Sequence, residues 1–122
     1  MDTEGVANRF FAAIEQGVAD ELEAVYHKNV KIWHNFSRSE QARDVNIALL
    51  LKLQSLGNVG YVDIERYVVG DTLAQHHVLQ IKNKGELVME VPAAVFVTVR
   101  GGQIVRLVEY IDSASLKRGL ID

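Results

Sequence analysis

The sequence contains no cysteine, one proline and one tryptophan in 122 residues. Without cysteine, the chain has no disulfide framework, no thiolate nucleophile and no thiolate-bound zinc. Its hydrophobic runs are far shorter than the roughly 20 residues that span a bilayer. It begins with acidic residues rather than with the basic segment of a secretory signal. These absences predict a cytoplasmic protein with no contact to a membrane.

Positive charge is neither in excess nor clustered. The chain has 13 lysines and arginines against 16 aspartates and glutamates, a net charge of −3, and its cations are scattered singly. Binding to a nucleic acid backbone needs several clustered cations, so no nucleic acid partner is expected. With 48% hydrophobic residues, no repeat and no linker, the chain can form one core. We interpret residues 1–122 as a single domain.

Three helices are predicted in the first half of the chain, where apolar residues recur at three- and four-residue spacing. The third helix is expected to be the main cover over the core. Its start matches a capping box, in which a serine and a glutamate three residues apart satisfy backbone N–H groups. The boundary signals are Gly17 at the end of the first helix, Asp20 at the start of the second, Ser37 with Glu40, or else Ser39, at the start of the third, and Gly57 at its end.

Strands are predicted in the second half, where Val, Ile, Tyr and Thr are frequent and glycine-containing turns separate the segments. The single proline, Pro92, falls within one of these segments and predicts an edge or a bulge there. Ser113, or Asp112 before it, starts a short C-terminal helical turn with Leu116 and Leu120. The predicted strands, including one in the first half, are residues 29–35, 59–69, 72–82, 86–99 and 103–112.

This order of elements predicts an α+β fold. A strongly curved, mixed or antiparallel sheet forms a cone-shaped barrel, and three N-terminal helices cover its concave face. Helices and sheet are expected to enclose a conical space with an open mouth.

Three polar tracts interrupt the predicted strands: residues 33–35 (Trp-His-Asn), 75–77 (Gln-His-His) and 109–112 (Glu-Tyr-Ile-Asp). Side chains alternate between the two faces of a strand, so each tract directs only half of its members into the core. We assign Asn35, His77 and Glu109 to the inner face. An amide, an imidazole and a carboxylate in an apolar pocket are suited to moving a proton on a small molecule.

The inner assignment of Glu109 depends on its neighbours, because Leu107 and Ile111 share its face. A carboxylate among apolar residues is seldom left without a partner. The structural alternative is a glutamate in solvent or in an ion pair with Arg106. Desolvation would raise the pKa of the buried carboxyl, whereas a neighbouring imidazolium would lower it.

His77 shares its face with Gln75 and Leu79, which places it in the pocket as a general acid or base. Its neighbour His76 must point to the opposite face, so the two imidazoles cannot bind one metal ion. The alternative is a core or interface histidine that bonds a backbone carbonyl.

The first strand is open to two interpretations. Trp33 and Asn35 share one face, and we take that face as inner, with Trp33 as an apolar wall. If the register is shifted by one residue, His34 becomes the pocket base and Asn35 leaves the pocket. The predicted ligand-lining residues are Trp33, Gln75, Leu79, Val91, Ala93, Leu107, Ile111 and Tyr26.

The order of elements and two segments, VKIWHN at residues 30–35 and IVRLVEYID at residues 104–112, resemble the SnoaL-like branch of the nuclear-transport-factor-2-like (NTF2-like) superfamily. The resemblance covers nearly the whole chain and implies the cystatin-like fold of that superfamily. Its members include polyketide cyclases, ketosteroid isomerase, limonene epoxide hydrolase and domains that only bind or dimerise, so the fold does not choose a reaction.

Residue by residue, the sequence is most similar to limonene epoxide hydrolase. Trp33 and Asn35 stand at the positions of that family's water-positioning tyrosine and asparagine, and Gln75, His77 and Glu109 at those of its arginine and two aspartates. Asn35 keeps the residue type and Glu109 keeps the carboxylate, whereas the other three differ. Ketosteroid isomerase has its base aspartate where Asn35 stands, and an amide cannot abstract a proton.

These features lead to the hypothesis of a small-molecule enzyme without cofactor or metal. It would perform proton transfer, as in an isomerase, cyclase or dehydratase, on an apolar oxygenated ligand, with Glu109 and His77 as acid and base. Asn35 and Gln75 would polarise or orient the ligand. The alternatives are a ligand-binding module without chemistry and an association domain whose convex sheet face carries His34, His76 and Tyr110. A homodimer through that convex face is expected.

Overall fold

The computed structural model describes residues 2–115, and within them three helices and six strands follow one another along the chain. The Leu116 and Leu120 part of the predicted C-terminal turn lies outside the described residues. The elements are α1 (Thr3–Gln16), α2 (Ala19–Val25), β1 (Tyr26–His34), β2 (Glu40–Gln41), α3 (Arg43–Gln54), β3 (Asn58–Val69), β4 (Thr72–Asn83), β5 (Glu86–Arg100) and β6 (Gln103–Ile111).

The six strands form one mixed sheet in the order β2-β1-β6-β5-β4-β3. All neighbouring pairs are antiparallel except β1 and β6, which are parallel. The α+β prediction is confirmed. The predicted barrel is wrong in one respect: within the described residues the sheet stays open, because β2 has only two residues and β3 is the opposite edge.

The helices pack on one face of this sheet, where the apolar side of each strand meets α1, α2 and α3. The core includes completely buried side chains from both helices and strands, and those on the strands alternate with more exposed residues, as a half-buried antiparallel sheet requires. Among them are Val6, Leu22, Ile32, Leu73, Ile81 and Ile104.

The start of α3 differs from the prediction. The helix begins at Arg43, and its N-cap Ala42 makes no side-chain capping bond. Ser37 instead donates from its hydroxyl to the carbonyls of His34 and Ser39 in the preceding turn. The capping box is absent because Glu40 pairs with β1 as part of a strand, which uses its backbone in the sheet.

A bulge in β3 decides which side chains reach the helix-covered face. The register of β3 against β4 shifts between Val62 and Glu65, where Asp63 has a left-handed φ of 54°. Tyr61 and Arg66 are five residues apart and would point to opposite faces of a regular strand. The extra residue brings both to the concave face, opposite Leu79 and Gln75 respectively.

Pro92 is accommodated where a neighbouring strand ends. It pairs with Val78 of β4, whereas the β6 ladder stops at Ile111. The Asp112 N–H still donates to the Pro92 carbonyl at 3.1 Å. Since the N–H and C=O of one strand residue point to the same side, the missing proline N–H faces the end of the β6 ladder. The predicted edge or bulge is wrong, because β5 is an inner strand and its register against β4 is regular at Pro92.

The predicted start of the C-terminal turn is confirmed, with Asp112 as the cap. Its Oδ1 accepts from the N–H groups of Ala114 and Ser115. No helix in residues 2–115 is long and apolar enough to cross a membrane.

Gly57 joins α3 to β3 in a conformation that an L-residue resists. Its φ is 153°, and a Cβ atom there would lie 2.5 Å from the backbone oxygen of Lys82. We expect Gly57→Ala to lower the free energy of unfolding in urea by about 2 kcal/mol or more, through backbone strain and the clash.

Gly60 provides the matched control. It lies in β3, and a Cβ there meets no atom within 4 Å. Gly60→Ala should change the free energy of unfolding by about 0.5 kcal/mol or less. Equal losses in the two variants would contradict this explanation of Gly57.

Candidate functional site

A cavity lies between α3 and the concave face of the sheet. Its volume is about 50 Å³. Most of its wall is apolar, as in typical small-molecule sites. The lining residues are His34, Phe36, Leu49, Leu53, Tyr61, His77, Leu79, Val91, Ala93, Glu109 and Ile111.

His34 and Glu109 form a close pair at one end of the cavity. Parallel pairing of β1 with β6 sets the two residues side by side. His34 Nε2 lies 3.1 Å from Glu109 Oε1, with side-chain exposures of 4% and 24%. An imidazole at this distance stabilises the carboxylate and orients it.

The second ring nitrogen of His34, Nδ1, has no polar contact within residues 2–115 like that between Nε2 and Glu109. Nδ1 is buried and has no hydrogen-bond partner in the part of the chain that the structure describes. An unpaired buried nitrogen costs about 1–3 kcal/mol. Stability alone therefore does not explain a histidine at this position, and buried groups of this kind are frequent at functional sites.

His77 occupies the opposite side of the cavity floor, on β4. Its ring is 3% exposed and packs edge-on against Tyr61 and Phe11, with centroid distances of 4.7 and 5.6 Å. Burial lowers the pKa of the His77 imidazole below its usual value, although the charge of Glu109 opposes this shift. The ring is thus held in its neutral form near pH 7.

Tyr61 adds a neutral hydroxyl to the lining. Burial raises the pKa of the Tyr61 hydroxyl well above its usual range, and the charges of Glu109 and Glu15 raise it further. The residue keeps its proton at any ordinary pH.

Ala93 creates the space between the two polar sides. It pairs with His77 of β4 on one side and with Ile111 of β6 on the other. Because its side chain is one methyl group, it leaves room that a larger residue would fill. The longer His77 and Glu109 side chains, on either side of β5, can therefore both reach the cavity.

The placement of Asn35 and Trp33 differs from the prediction, since neither lines the cavity. The Asn35 side chain donates from Nδ2 to the Ile111 carbonyl at 3.1 Å and accepts at Oδ1 from the Ile111 N–H at 2.9 Å. Its amide thus continues the ladder past the end of β1, as a peptide group would. The Trp33 ring packs against Tyr110, 5.3 Å between centroids, on the convex face.

The inner face of β1 consists instead of Val30, Ile32 and His34. This is the alternative register, in which His34 enters the pocket. The signal for it lies in the sequence: Lys31 shares a face with Trp33, and a lysine favours solvent.

Gln75, Leu107 and Tyr26 also fail to line the cavity. Gln75 is buried beside His77, and its Nε2 lies 2.9 Å from His77 Nδ1. Leu107 belongs to the core. Tyr26 is the first residue of β1, is fully buried, and donates its hydroxyl to Asn46 Oδ1 at 2.7 Å.

The remaining predicted positions, Leu79, Val91, Ala93 and Ile111, lie in the cavity wall together with His77 and Glu109. The sequence-based prediction missed Phe36, Leu49, Leu53 and Tyr61. Leu49 and Leu53 were identifiable as one face of α3 at four-residue spacing. In residues 2–115 no group of three or more histidine, aspartate or glutamate side chains is placed to hold a metal ion.

The convex face of the sheet carries an apolar row that crosses five strands. Its members are cross-strand neighbours in the register: Tyr67, Ala74, Phe96, Val108 and Trp33. Tyr67, Phe96 and the adjacent Tyr110 are 60%, 45% and 51% exposed. His76 and Tyr110 lie on this face as predicted, whereas His34 does not.

No protein-family model matches the sequence, and comparison with curated proteins found no significant match. Solved structures match closely in shape. IdmH from Streptomyces antibioticus, described as a proposed polyketide cyclase, is 16% identical with a TM-score of 0.76 over 100% of both chains. A SnoaL-like protein from Shewanella denitrificans, also a proposed polyketide cyclase, is 11% identical with a TM-score of 0.77 over 98% of this chain and 96% of that one.

A third match has a different description. A Catenulispora acidiphila protein with a ketosteroid isomerase-like fold, solved in complex with trimethylamine, is 18% identical with a TM-score of 0.73. The match covers 90% of this chain and 87% of that one. The predicted resemblance is confirmed at the level of fold: this chain has the fold that SnoaL-like, ketosteroid isomerase-like and NTF2-like proteins share.

Proposed function

We propose that the protein binds a compact, apolar, oxygenated molecule in the cavity and moves a proton on it without a cofactor. The observation that carries this proposal is the convergence of Glu109, His34 and His77 on a cavity that is otherwise mostly apolar. Groups that titrate, in a site with little water, are the usual means of general acid–base catalysis.

Glu109 is the base in this proposal. Its carboxylate removes a proton from the carbon next to a carbonyl group, and the electron pair of the C–H bond moves onto the carbonyl oxygen. Return of the proton to another carbon completes an isomerisation. If the carboxyl group first exchanges its proton with solvent, return of a solvent proton to the same carbon completes an exchange. His34 orients the carboxylate, and His77 stabilises the charge that develops on oxygen.

Two of the similar structures support the proposal, one through the chemistry in its description and the other through the small size of its ligand. IdmH is described as a proposed polyketide cyclase. Polyketides contain carbonyl groups, and a carbon next to a carbonyl group can lose a proton to a base. The complex with trimethylamine concerns a protein of similar fold that holds a small organic molecule. The apolar wall formed by Leu79, Val91 and Ile111 suits a ligand with few polar atoms.

A binding module without chemistry is the alternative. A binder releases its ligand unchanged, whereas an enzyme of the proposed kind exchanges protons with it. The experiment therefore measures both binding and proton transfer with acetone and cyclopentanone, which are small ketones with exchangeable protons beside the carbonyl.

We expect the protein to accelerate exchange of these protons for deuterium in D2O, measured by the loss of their ¹H NMR signals. Glu109→Gln should reduce the protein-dependent rate by about 10²-fold or more, because an amide cannot accept the proton. Binding, followed through shifts of histidine resonances, should persist in this variant.

Glu90→Gln is the matched control, because it removes the same charge from an exposed position on the other face of β5. Its exchange rate should equal that of the original protein. Equal losses in the two variants would count against Glu109 as the base, and ketone binding without any accelerated exchange would identify a binding module.

The exposed apolar row on the convex face supports a second proposal, that two copies pair through it. Contiguous exposed aromatic and aliphatic groups mark interaction surfaces in soluble proteins. A two-fold symmetric contact buries the same patch on both partners, and a self-complementary apolar row meets that requirement. Phe96 lies at the centre of the row.

Phe96→Glu should convert a dimer into a monomer, because it places two charges at the centre of the contact. Val45→Glu is the control, since Val45 is 57% exposed on α3, in the other layer. Sedimentation should give twice the chain mass for the original protein and for Val45→Glu, and a single chain mass for Phe96→Glu. A monomeric original protein at high concentration would refute the pairing.

A further inference from the structure

A chain of polar contacts leads from the protein surface to His77. Arg66 Nε donates to Gln75 Oε1 at 2.8 Å, and Gln75 Nε2 lies 2.9 Å from His77 Nδ1. Gln75 and His77 are both 3% exposed. The three residues therefore form one relay that runs from the partly exposed Arg66 on β3 to the buried Gln75 and His77 on β4.

Arg66 is held at the outer end of this relay by α1. Its Nη1 donates to Asn8 Oδ1 and lies 3.9 Å from Glu4 Oε2. Its guanidinium lies over the Phe11 ring, 5.9 Å from the centroid. With a carboxylate, an amide and an aromatic ring around it, the guanidinium has little freedom to leave the relay.

The direction of each contact in the relay is set by what each group can do. A guanidinium only donates, so the Gln75 oxygen must face Arg66 and the Gln75 amino group must face His77. That amino group also only donates, so His77 Nδ1 must accept. A neutral imidazole that accepts at Nδ1 carries its proton on Nε2.

We propose that Arg66, acting through Gln75, is a positioning residue that fixes His77 as the neutral tautomer with its proton on Nε2. His77 then presents a hydrogen-bond donor to the cavity. Protonation of Nδ1 would set two donors against each other, so the relay opposes the imidazolium form.

The surroundings of His77 also favour the neutral form of its ring. The charged and titratable groups around the ring are Arg66 and Tyr61 on β3, His76 on β4 and Glu109 on β6, whereas α1 contributes the apolar Phe11 ring. Burial is the main cause that lowers the pKa of His77; Glu109 raises it, and His76 and Arg66 lower it. A lowered pKa keeps the ring neutral as the pH falls through the usual histidine range.

This tautomer narrows the ligand class, a step that rests on the proposed function. The cavity offers a donor at His77 and an acceptor at Glu109. A ligand with a neutral carbonyl oxygen and an acidic hydrogen complements both, whereas a carboxylate would be repelled by Glu109. The site therefore favours ketones and aldehydes over carboxylic acid anions.

The tautomer is tested by long-range ¹H–¹⁵N correlation of protein with ¹⁵N-labelled histidine. His77 should show a protonated Nε2, an unprotonated Nδ1 and a pKa below that of a free histidine. Arg66→Met should raise the His77 pKa, because a positive charge is lost, and should give a mixture of tautomers. Gln75→Glu should place the proton on Nδ1 by supplying an acceptor there.

Arg43→Met is the matched control, because Arg43 pairs with Glu23 and Asp44 away from the relay. It should leave the His77 spectrum unchanged. A proton on Nδ1 in the original protein, or a His77 spectrum unaltered by both relay variants, would overturn the proposal. If Arg66→Met fails to fold, the His77 spectra of the original protein and of Gln75→Glu still test the proposed tautomer.

The ligand class is tested in the same spectra with acetone and acetate. Acetone should shift the His77 Nε2 signal and acetate should not; a shift with acetate alone would overturn the inferred class. The proposed function and the relay can be contradicted independently. A His77 ring protonated at Nε2, in a protein that does not accelerate ketone exchange, would contradict the proposed function and support the relay. Glu109-dependent exchange in a protein whose His77 is protonated at Nδ1 would support the proposed function and contradict the relay.

Discussion

The site depends on the parallel pairing of β1 with β6, which sets His34 directly beside Glu109. β1 follows the two N-terminal helices and β6 is the last strand within residues 2–115, so among the described strands this pair joins the neighbours that are farthest apart in sequence. Strand alternation then requires that both side chains leave the sheet on the helix-covered face. A shift of one residue in this register would move the imidazole to the convex face and leave the carboxylate among apolar residues.

Strand neighbours also explain the rest of the cavity. Ala93 on β5 separates the two strands that carry His77 and Glu109, and its small side chain gives both longer groups a common space. The bulge at Asp63 turns Arg66 inward, where it contacts Gln75. The polar groups of the site are thus held by residues on strands, which keep their geometry more rigid than a loop would.

Much of this arrangement was predictable where a polar residue shares its face with apolar ones. Glu109 lies between Leu107 and Ile111, and His77 precedes Leu79, so alternation alone placed both correctly. The prediction for β1 is wrong because it assigns Asn35 to the pocket, although Lys31 on the same face favours solvent. The bond of Asn35 to Ile111 was not predictable, because the two residues are far apart in sequence. The bulge in β3 was not predictable either, because it is a change of register against β4 that alternation along β3 does not show.

The most direct test of the proposed site is the electron density of a crystal soaked in cyclopentanone. We expect the ketone inside the cavity, with its oxygen within hydrogen-bonding distance of His77 Nε2 and the adjacent carbon against the Glu109 carboxylate. Density for the ketone only on the convex face, or a Glu109 side chain turned away from His34 into solvent, would contradict this arrangement.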